Sequence, residues 1–164
     1  MFKSAHTDTF ARDNLPPTDK WPELTTPPNY PERLNASVSL LDQIVERVGR
    51  DKTALIATEG LVTYGQLLDQ VNSISLYLES IGVQPGNRIL LRGPNNASIV
   101  ALWFAILRVG AIAVTTIHLQ RTGELEKIVD IAKVQFAFVD HRFLDDWSAV
   151  KNYLGKTLSY GSKD

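Results

Sequence analysis

Along most of the chain, apolar side chains recur at two alternating spacings, and that alternation predicts strands separated by helices. Asn35 can cap a helix that places Val38, Leu41, Ile44, Val45 and Val48 on one face and is ended by Gly49 and Asp51. Residues 53–57 read as a short strand, with Glu59-Gly60 turning into a second strand over 61–63. Thr63, followed three residues later by Gln66, forms a capping box. The helix it opens carries Leu67, Val71, Ile74, Leu78 and Ile81 on one stripe. Gly82 closes it as a left-handed cap, and Pro85-Gly86 turns the chain. Residues 88–91 are the next strand, followed by the loop Gly93-Pro94-Asn95-Asn96, where either asparagine can cap a helix. That helix is apolar nearly all round (Ile99, Val100, Leu102, Trp103, Phe104, Ile106, Leu107) and must be covered on most sides. Residues 111–117 are expected to form a continuous buried strand, and Thr122 to cap a helix bearing Leu125, Ile128, Val129 and Ala132. A strand over 136–139, a helix over 143–153 and a strand from 157 to 160 complete the pattern. Strands alternating with helices of this length imply an α/β fold, a mostly parallel sheet with helices on both faces.

Residues 1–35 break the rhythm. Leu15-Pro16-Pro17, Trp21-Pro22, Pro27-Pro28 and Tyr30-Pro31 place proline every few residues, which leaves neither a helix nor a central strand. They read as an extended arm on a body formed by residues 36–164. Phe2, Phe10, Trp21 and Tyr30 are expected to dock on that body, with a proline-rich ligand for another protein as the alternative. Apolar residues at 44% and charged residues at 21% describe a chain able to bury a core. Seventeen Lys and Arg against eighteen Asp and Glu leave a net charge of −1, without the basic excess that nucleic-acid binding demands. No cysteine is present, so disulfides, thiolate metal sites and cysteine nucleophiles are excluded together. The apolar stretch 99–117 has Arg108 at its centre, where a spanning helix would be penalised by roughly 2.5–3.5 kcal/mol. A buried helix turning into a strand explains it better than a membrane span. With charges at Asp8, Arg12 and Asp13 in place of a signal peptide, the expected location is the cytoplasm.

Residue types that carry chemistry are sparse. Gly93-Pro94-Asn95-Asn96 joins a strand end to a helix start, where an open sheet can bind an anion, although capping alone also produces such loops. Gly155-Lys156-Thr157 resembles the end of a phosphate loop, but Val150 stands where the leading glycine belongs, and a turn before a strand explains it. His6, His118 and His141 lack a second ligand at metal spacing. His118 and His141 follow strands, where a catalytic base or a satisfied structural histidine fits equally. Asp145-Asp146 and the pair Glu124 and Glu126 suit dipole partners in a first helical turn better than paired acid–base chemistry. Arg121, between a strand and a helix, can meet a phosphate or stay solvated.

The order of short motifs adds a family. Leu61-Val62-Thr63-Tyr64-Gly65-Gln66-Leu67 resembles the Leu-Thr-Tyr-x-Glu-Leu segment of acyl-CoA synthetases and related adenylate-forming enzymes. Gly82-Val83-Gln84-Pro85-Gly86-Asn87-Arg88-Ile89 is similar to their Gly-Val-x-x-Gly-Asp-Arg-Val, and Gly93-Pro94-Asn95-Asn96 to their Pro-Asn loop. Leu107-Arg108-Val109-Gly110-Ala111-Ile112-Ala113-Val114 matches Leu-(Lys/Arg)-x-Gly-Ala-x-x-Val, and Glu124-Leu125 falls where the family opens its next helix. The opening ten residues further resemble aryl-acid CoA ligases of the 2-aminobenzoate-CoA and benzoate-CoA type. The resemblance implies an incomplete N-terminal subdomain of the ligase fold. In the whole enzyme a carboxylate, aromatic or other, is adenylated by ATP with Mg²⁺, and CoA thiol then displaces AMP. The family's Ser/Thr/Gly-rich loop ending in Pro-Lys, its ribose-binding Asp and its C-terminal lysine lie beyond the matched region. The resemblance therefore implies no catalytic residue and no metal ligand in this chain, and no activity by it alone. A stand-alone binding module that kept the fold and lost catalysis is the alternative. The family often has a basic residue near the CoA phosphates after the buried strand, and Arg121 is the local candidate. His118 stands where the family usually has proline, and Gly65-Gln66 replaces the more usual x-Glu. A truncated sheet implies an exposed edge and self-association through it.

Overall fold

The computed structural model describes residues 4–7, 9, 13–23 and 29–161. Asn35 opens the body: its Oδ1 accepts from the amides of Ser37 and Val38, and its Nδ2 donates to the Arg108 carbonyl at 2.9 Å. A π-helical stretch, Val38–Asp42, leads into helix α1, Gln43–Val48. Arg108 forks onto the Asp42 carboxylate, so the charge that argued against a membrane span instead ties this helix to the core. No helix among the described residues is long and apolar enough to cross a membrane.

Strands β1 (Thr53–Ala57) and β2 (Gly60–Thr63) pair antiparallel as a hairpin. Helix α2 (Tyr64–Ser80) starts at the expected capping box, with Thr63 Oγ1 accepting from the Gln66 amide and Gln66 Oε1 accepting from the Thr63 amide. It ends at Gly82, whose φ of 90° only glycine adopts at little cost. There follow β3 (Arg88–Gly93), α3 (Ala97–Arg108), β4 (Ile112–Ile117), α4 (Thr122–Ala132), β5 (Phe136–Asp140), α5 (Leu144–Ser148) and β6 (Lys156–Tyr160). Among the described residues the main sheet is four-stranded and parallel, in the order β4-β3-β5-β6.

Alternate residues of the central strands feed two cores. Ile89, Leu91 and Phe138 join Leu67, Val71 and Leu78 of α2 and Leu102 and Ile106 of α3 on one face. Leu90, Ala137 and Val139 meet Leu125 and Val129 of α4 and Trp147 of α5 on the other. Because β3 leads to α3 and β5 to α5, the chain leaves two neighbouring strands toward opposite faces. Such a switch point opens a crevice beyond the carboxyl ends of the strands.

Several expectations need correction. Residues 111–117 are not a buried strand. The strand order puts β4 at the margin, and Ile117 is 60% exposed. Ala113 packs against one core and Val114 against the other, but the strand's outer edge and its Ile117 end stay open. Helix α4 is capped at Arg121 and not at Thr122, whose hydroxyl donates instead to the Asp146 carbonyl at 3.1 Å. The helix expected over 143–153 breaks into a 3₁₀ turn at His141–Phe143 and the five-residue α5. Trp147 is buried, donates from Nε1 to Thr157 Oγ1 and packs its ring at a tilt against Tyr153, which folds the chain back toward β6 before another helical turn can form. In the arm, Trp21 is 51% and Tyr30 71% exposed, so neither ring docks as expected, while Phe2 and Phe10 lie outside the described residues. Polar contacts join described arm residues to the body. The Ala5 amide donates to the Pro85 carbonyl, and Arg88 Nη1 donates to Thr7 Oγ1.

Candidate functional site

The crevice at the switch point is filled by the protein's own side chains. Gly93 ends β3, and a Cβ at that position would lie 2.0 Å from the Tyr160 hydroxyl oxygen, so glycine is required for Tyr160 to lie across the strand end. The Tyr160 hydroxyl donates to the Arg92 carbonyl at 3.3 Å. Burial pushes its phenol pKa up, helped by the nearby Asp140 carboxylate. Asp140, with its side chain fully buried at the end of β5, accepts from Arg142 Nε at 2.9 Å and Arg142 Nη2 at 2.8 Å. The Arg142 fork holds the Asp140 carboxyl below the usual carboxylate range against the opposing cost of burial.

Arg92 is the second charged group inside the fold. Its alternation along β3 aims it at the α4–α5 face, beneath the loops that leave β4 and β5. Nη1 donates to the Ile117 carbonyl at 3.1 Å, and Nη2 to the carbonyls of His118 and Gln120 at 3.1 and 2.9 Å. Asp146 lies 3.5 Å away and also pairs with Arg121 Nη1 at 3.3 Å. Burial lowers the Arg92 pKa, and Asp146 opposes that shift. The Arg92 guanidinium lies 6.0 Å and that of Arg142 5.7 Å from the centre of the Phe143 ring, which also meets the His118 ring at 4.9 Å.

The candidates from the sequence therefore divide. Arg121 projects from the N-terminus of α4, its side chain 80% exposed, with Asp146 as its counter-ion. His118 shares this network through its carbonyl and ring. His141 lies 3.6 Å from Asp140 Oδ1. His6 is at the opposite end of the sheet, against Gly86. Asn96 caps α3 by accepting from the Ile99 amide at 2.9 Å, so the Gly93–Asn96 loop has its capping role. Glu124 accepts from the Arg121 amide and Glu126 from that of Lys151. Gly155 is a turn before β6, where a Cβ would strike the Gln135 carbonyl oxygen. No group of three His, Cys, Asp or Glu side chains that could hold a metal ion occurs among the described residues.

Arg92, Asp140, Arg142, Phe143 and Tyr160 were not singled out by sequence reasoning. One signal was available: Arg92 directly follows the apolar run Ile89-Leu90-Leu91, and a charge continuing a central strand must have buried partners. Beside the crevice, between α3 and the marginal strand β4, lies a cavity of about 410 Å³ lined by Leu91, Gly93, Asn95, Trp103, Thr116 and Ile117 among others. None of its lining residues is ionisable.

A parallel sheet with a switch point, preceded by a hairpin and a long capped helix, defines an α/β class with helices on both faces of the sheet. Within that class, the chain belongs to the AMP-binding enzyme family, whose pattern matches residues 41–160. It is 33% identical over 106 residues to a probable CoA ligase of Humulus lupulus, covering 63% of this chain and 19% of that protein. It is 31% identical over 107 residues to a salicylyl-CoA synthase/salicylate adenylyltransferase of Streptomyces sp., covering 65% of this chain and 19% of that one. The fold superposes on an anthranilate CoA ligase solved with anthranoyl-AMP at a TM-score of 0.73 and 26% identity, covering 80% of this chain and 26% of that protein. A benzoate CoA ligase of Burkholderia xenovorans LB400 shares the fold at a TM-score of 0.69 and 20% identity, over 76% of this chain and 26% of that protein. The chain thus spans about a fifth of the length of the curated relatives it matches.

Proposed function

We propose that this chain supplies the N-terminal part of an ATP-dependent acid–CoA ligase that adenylates a carboxylate and transfers it to CoA. The observation that carries the reading is the family match over residues 41–160 in a chain spanning a fifth of its relatives. ATP, Mg²⁺ and CoA belong to the whole enzyme. The family's catalytic motifs lie beyond the matched region, and this chain is inactive by itself. Residues 1–35 act as an arm and residues 36–164 as the first part of the large domain, in the cytoplasm. An aromatic acid of the 2-aminobenzoate type is the favoured substrate. The resemblance of the opening residues supports it, as does likeness to the anthranilate and benzoate ligases. Arg121 meets a CoA phosphate, a role that its exposure beyond the strand ends supports.

Acid-dependent ATP–pyrophosphate exchange tests the reading. The full-length protein should catalyse exchange with aromatic acids, and the 164-residue chain should not. Arg121→Ala in the full-length enzyme should raise the KM for CoA about tenfold, the loss expected for one charge-assisted contact, and leave pyrophosphate exchange unchanged. Full-length protein without exchange toward any carboxylate would point to a binding module that kept the fold and lost the reaction.

A further inference from the structure

We infer that Arg92 is the positioning residue for Arg121, holding the loop between β4 and α4 in the one shape that presents Arg121 beyond the sheet. The inference rests on the proposed role of Arg121 and adds the group that makes this role possible. The loop is short, and three of its carbonyls, those of Ile117, His118 and Gln120, turn inward onto one guanidinium. Between the inward carbonyls of His118 and Gln120, Leu119 points outward and is 69% exposed. Besides the His118–Phe143 ring contact and the Arg121–Asp146 ion pair, the loop's other ties are local. The Gln120 amide donates to the Ile117 carbonyl at 3.3 Å, and the Arg121 amide to Glu124 Oε2 at 2.9 Å. Without the guanidinium, the His118 and Gln120 carbonyls would lose this donor and the Ile117 carbonyl would keep only the Gln120 amide, a cost the loop would escape by rearranging.

The fork geometry matters as well as the charge. Arg92 serves the three carbonyls from two separate nitrogens, and a lysine ammonium is a point donor that cannot span them all. Asp146 completes the arrangement. Placed within 3.5 Å of Arg92 and 3.3 Å of Arg121, it compensates both cations and keeps two like charges within one small region. A buried, carbonyl-saturated Arg92 is spent on geometry, and the exposed Arg121 is left to meet an anion.

The test uses the full 164-residue chain, ¹⁵N-labelled, with Arg92→Lys, Arg92→Met and Arg121→Ala. Amide exchange is read at Gln120 and Arg121 in the loop and at Leu90 and Val139 in the central strands. Adenosine 3′,5′-bisphosphate serves as the anion probe. For Arg92→Lys, exchange at Gln120 and Arg121 should quicken about tenfold while Leu90 and Val139 hold their wild-type rates, and the probe Kd should rise as far as in Arg121→Ala. A role limited to neutralising charge predicts that lysine restores the loop, and that result would overturn the inference. Unchanged loop exchange in a folded Arg92→Met would overturn it too, and if Arg92→Met does not fold, Arg92→Lys decides. Equal probe binding by wild type and Arg121→Ala would sink the Arg121 reading alone, because loop exchange still reports on Arg92.

Discussion

Asp140 shows how one side chain can be both a burden and a fastener. Its carboxylate is fully buried, yet Arg142 forks onto it and holds its pKa below the ordinary carboxylate value. In the folded state the group therefore binds its proton at lower pH than in the unfolded chain, so unfolded molecules carry more protons across that window. Stability contributed by the pair is fully present above the ordinary carboxylate pKa of about 4 and is lost as pH falls through the folded value. Arg142→Gln removes the stabilising partner and leaves the burial cost. Its acid-unfolding midpoint, followed by far-UV circular dichroism, should move to higher pH than that of wild type. Superimposable acid limbs would show that the pair contributes nothing to the linkage. Neither member was legible as a pair from the sequence, although they are only two residues apart. Alternation along β5 and the 3₁₀ turn at His141–Phe143 fold Arg142 back over the strand end, and that is a three-dimensional fact.

Among the elements, those with local signals were read best. Helix α2 starts and stops where Thr63, Gln66 and Gly82 said it would, because caps and left-handed glycines act within a few residues of themselves. Thr63→Ala should cost about 1 kcal/mol, seen in thermal melts as a fall of roughly 2–4 °C, whereas Thr63→Ser should keep most of the stability. A melt identical to wild type for the alanine variant would mean that α2 is held by packing alone. The misread elements lack local signals. Residues 143–153 carry helical periodicity, but Trp147 is drawn inward by Thr157 and Tyr153, and that tertiary demand ends α5 at Ser148. The apolar run at 111–117 cannot say whether the strand lies inside the sheet or at its margin, because strand order is decided by partners more than twenty residues away.

For the molecule as a whole, β4 and β6 are the outer strands of the main sheet among the described residues. Ile117 and Leu119 expose apolar surface beside the open edge of β4. Unpaired edges flanked by apolar side chains invite association. Sedimentation velocity of the isolated chain should show a weight-average mass that rises with concentration, and Ile117→Lys should reduce that rise by placing a charge on the edge. A concentration-independent monomer would show that the edge is adequately protected. The candidate site follows from the same architecture. Arg121 was visible in the sequence as a cation between strand and helix, but its neighbours Arg92 and Asp146 were not, since they arrive from the end of β3 and from α5.

The sequence by itself determined the order and type of most elements, the α/β class and the family, because periodicity, caps and short motifs are written in neighbouring residues. Only the tertiary structure decided which strand lies at the margin, that Tyr160 and Asp140 fill the crevice at the switch point, and that Arg92 turns inward to collect three carbonyls. Those outcomes depend on which segments share a strand end. Such sharing is fixed by crossovers that bring distant residues within hydrogen-bonding reach, and no local pattern encodes it.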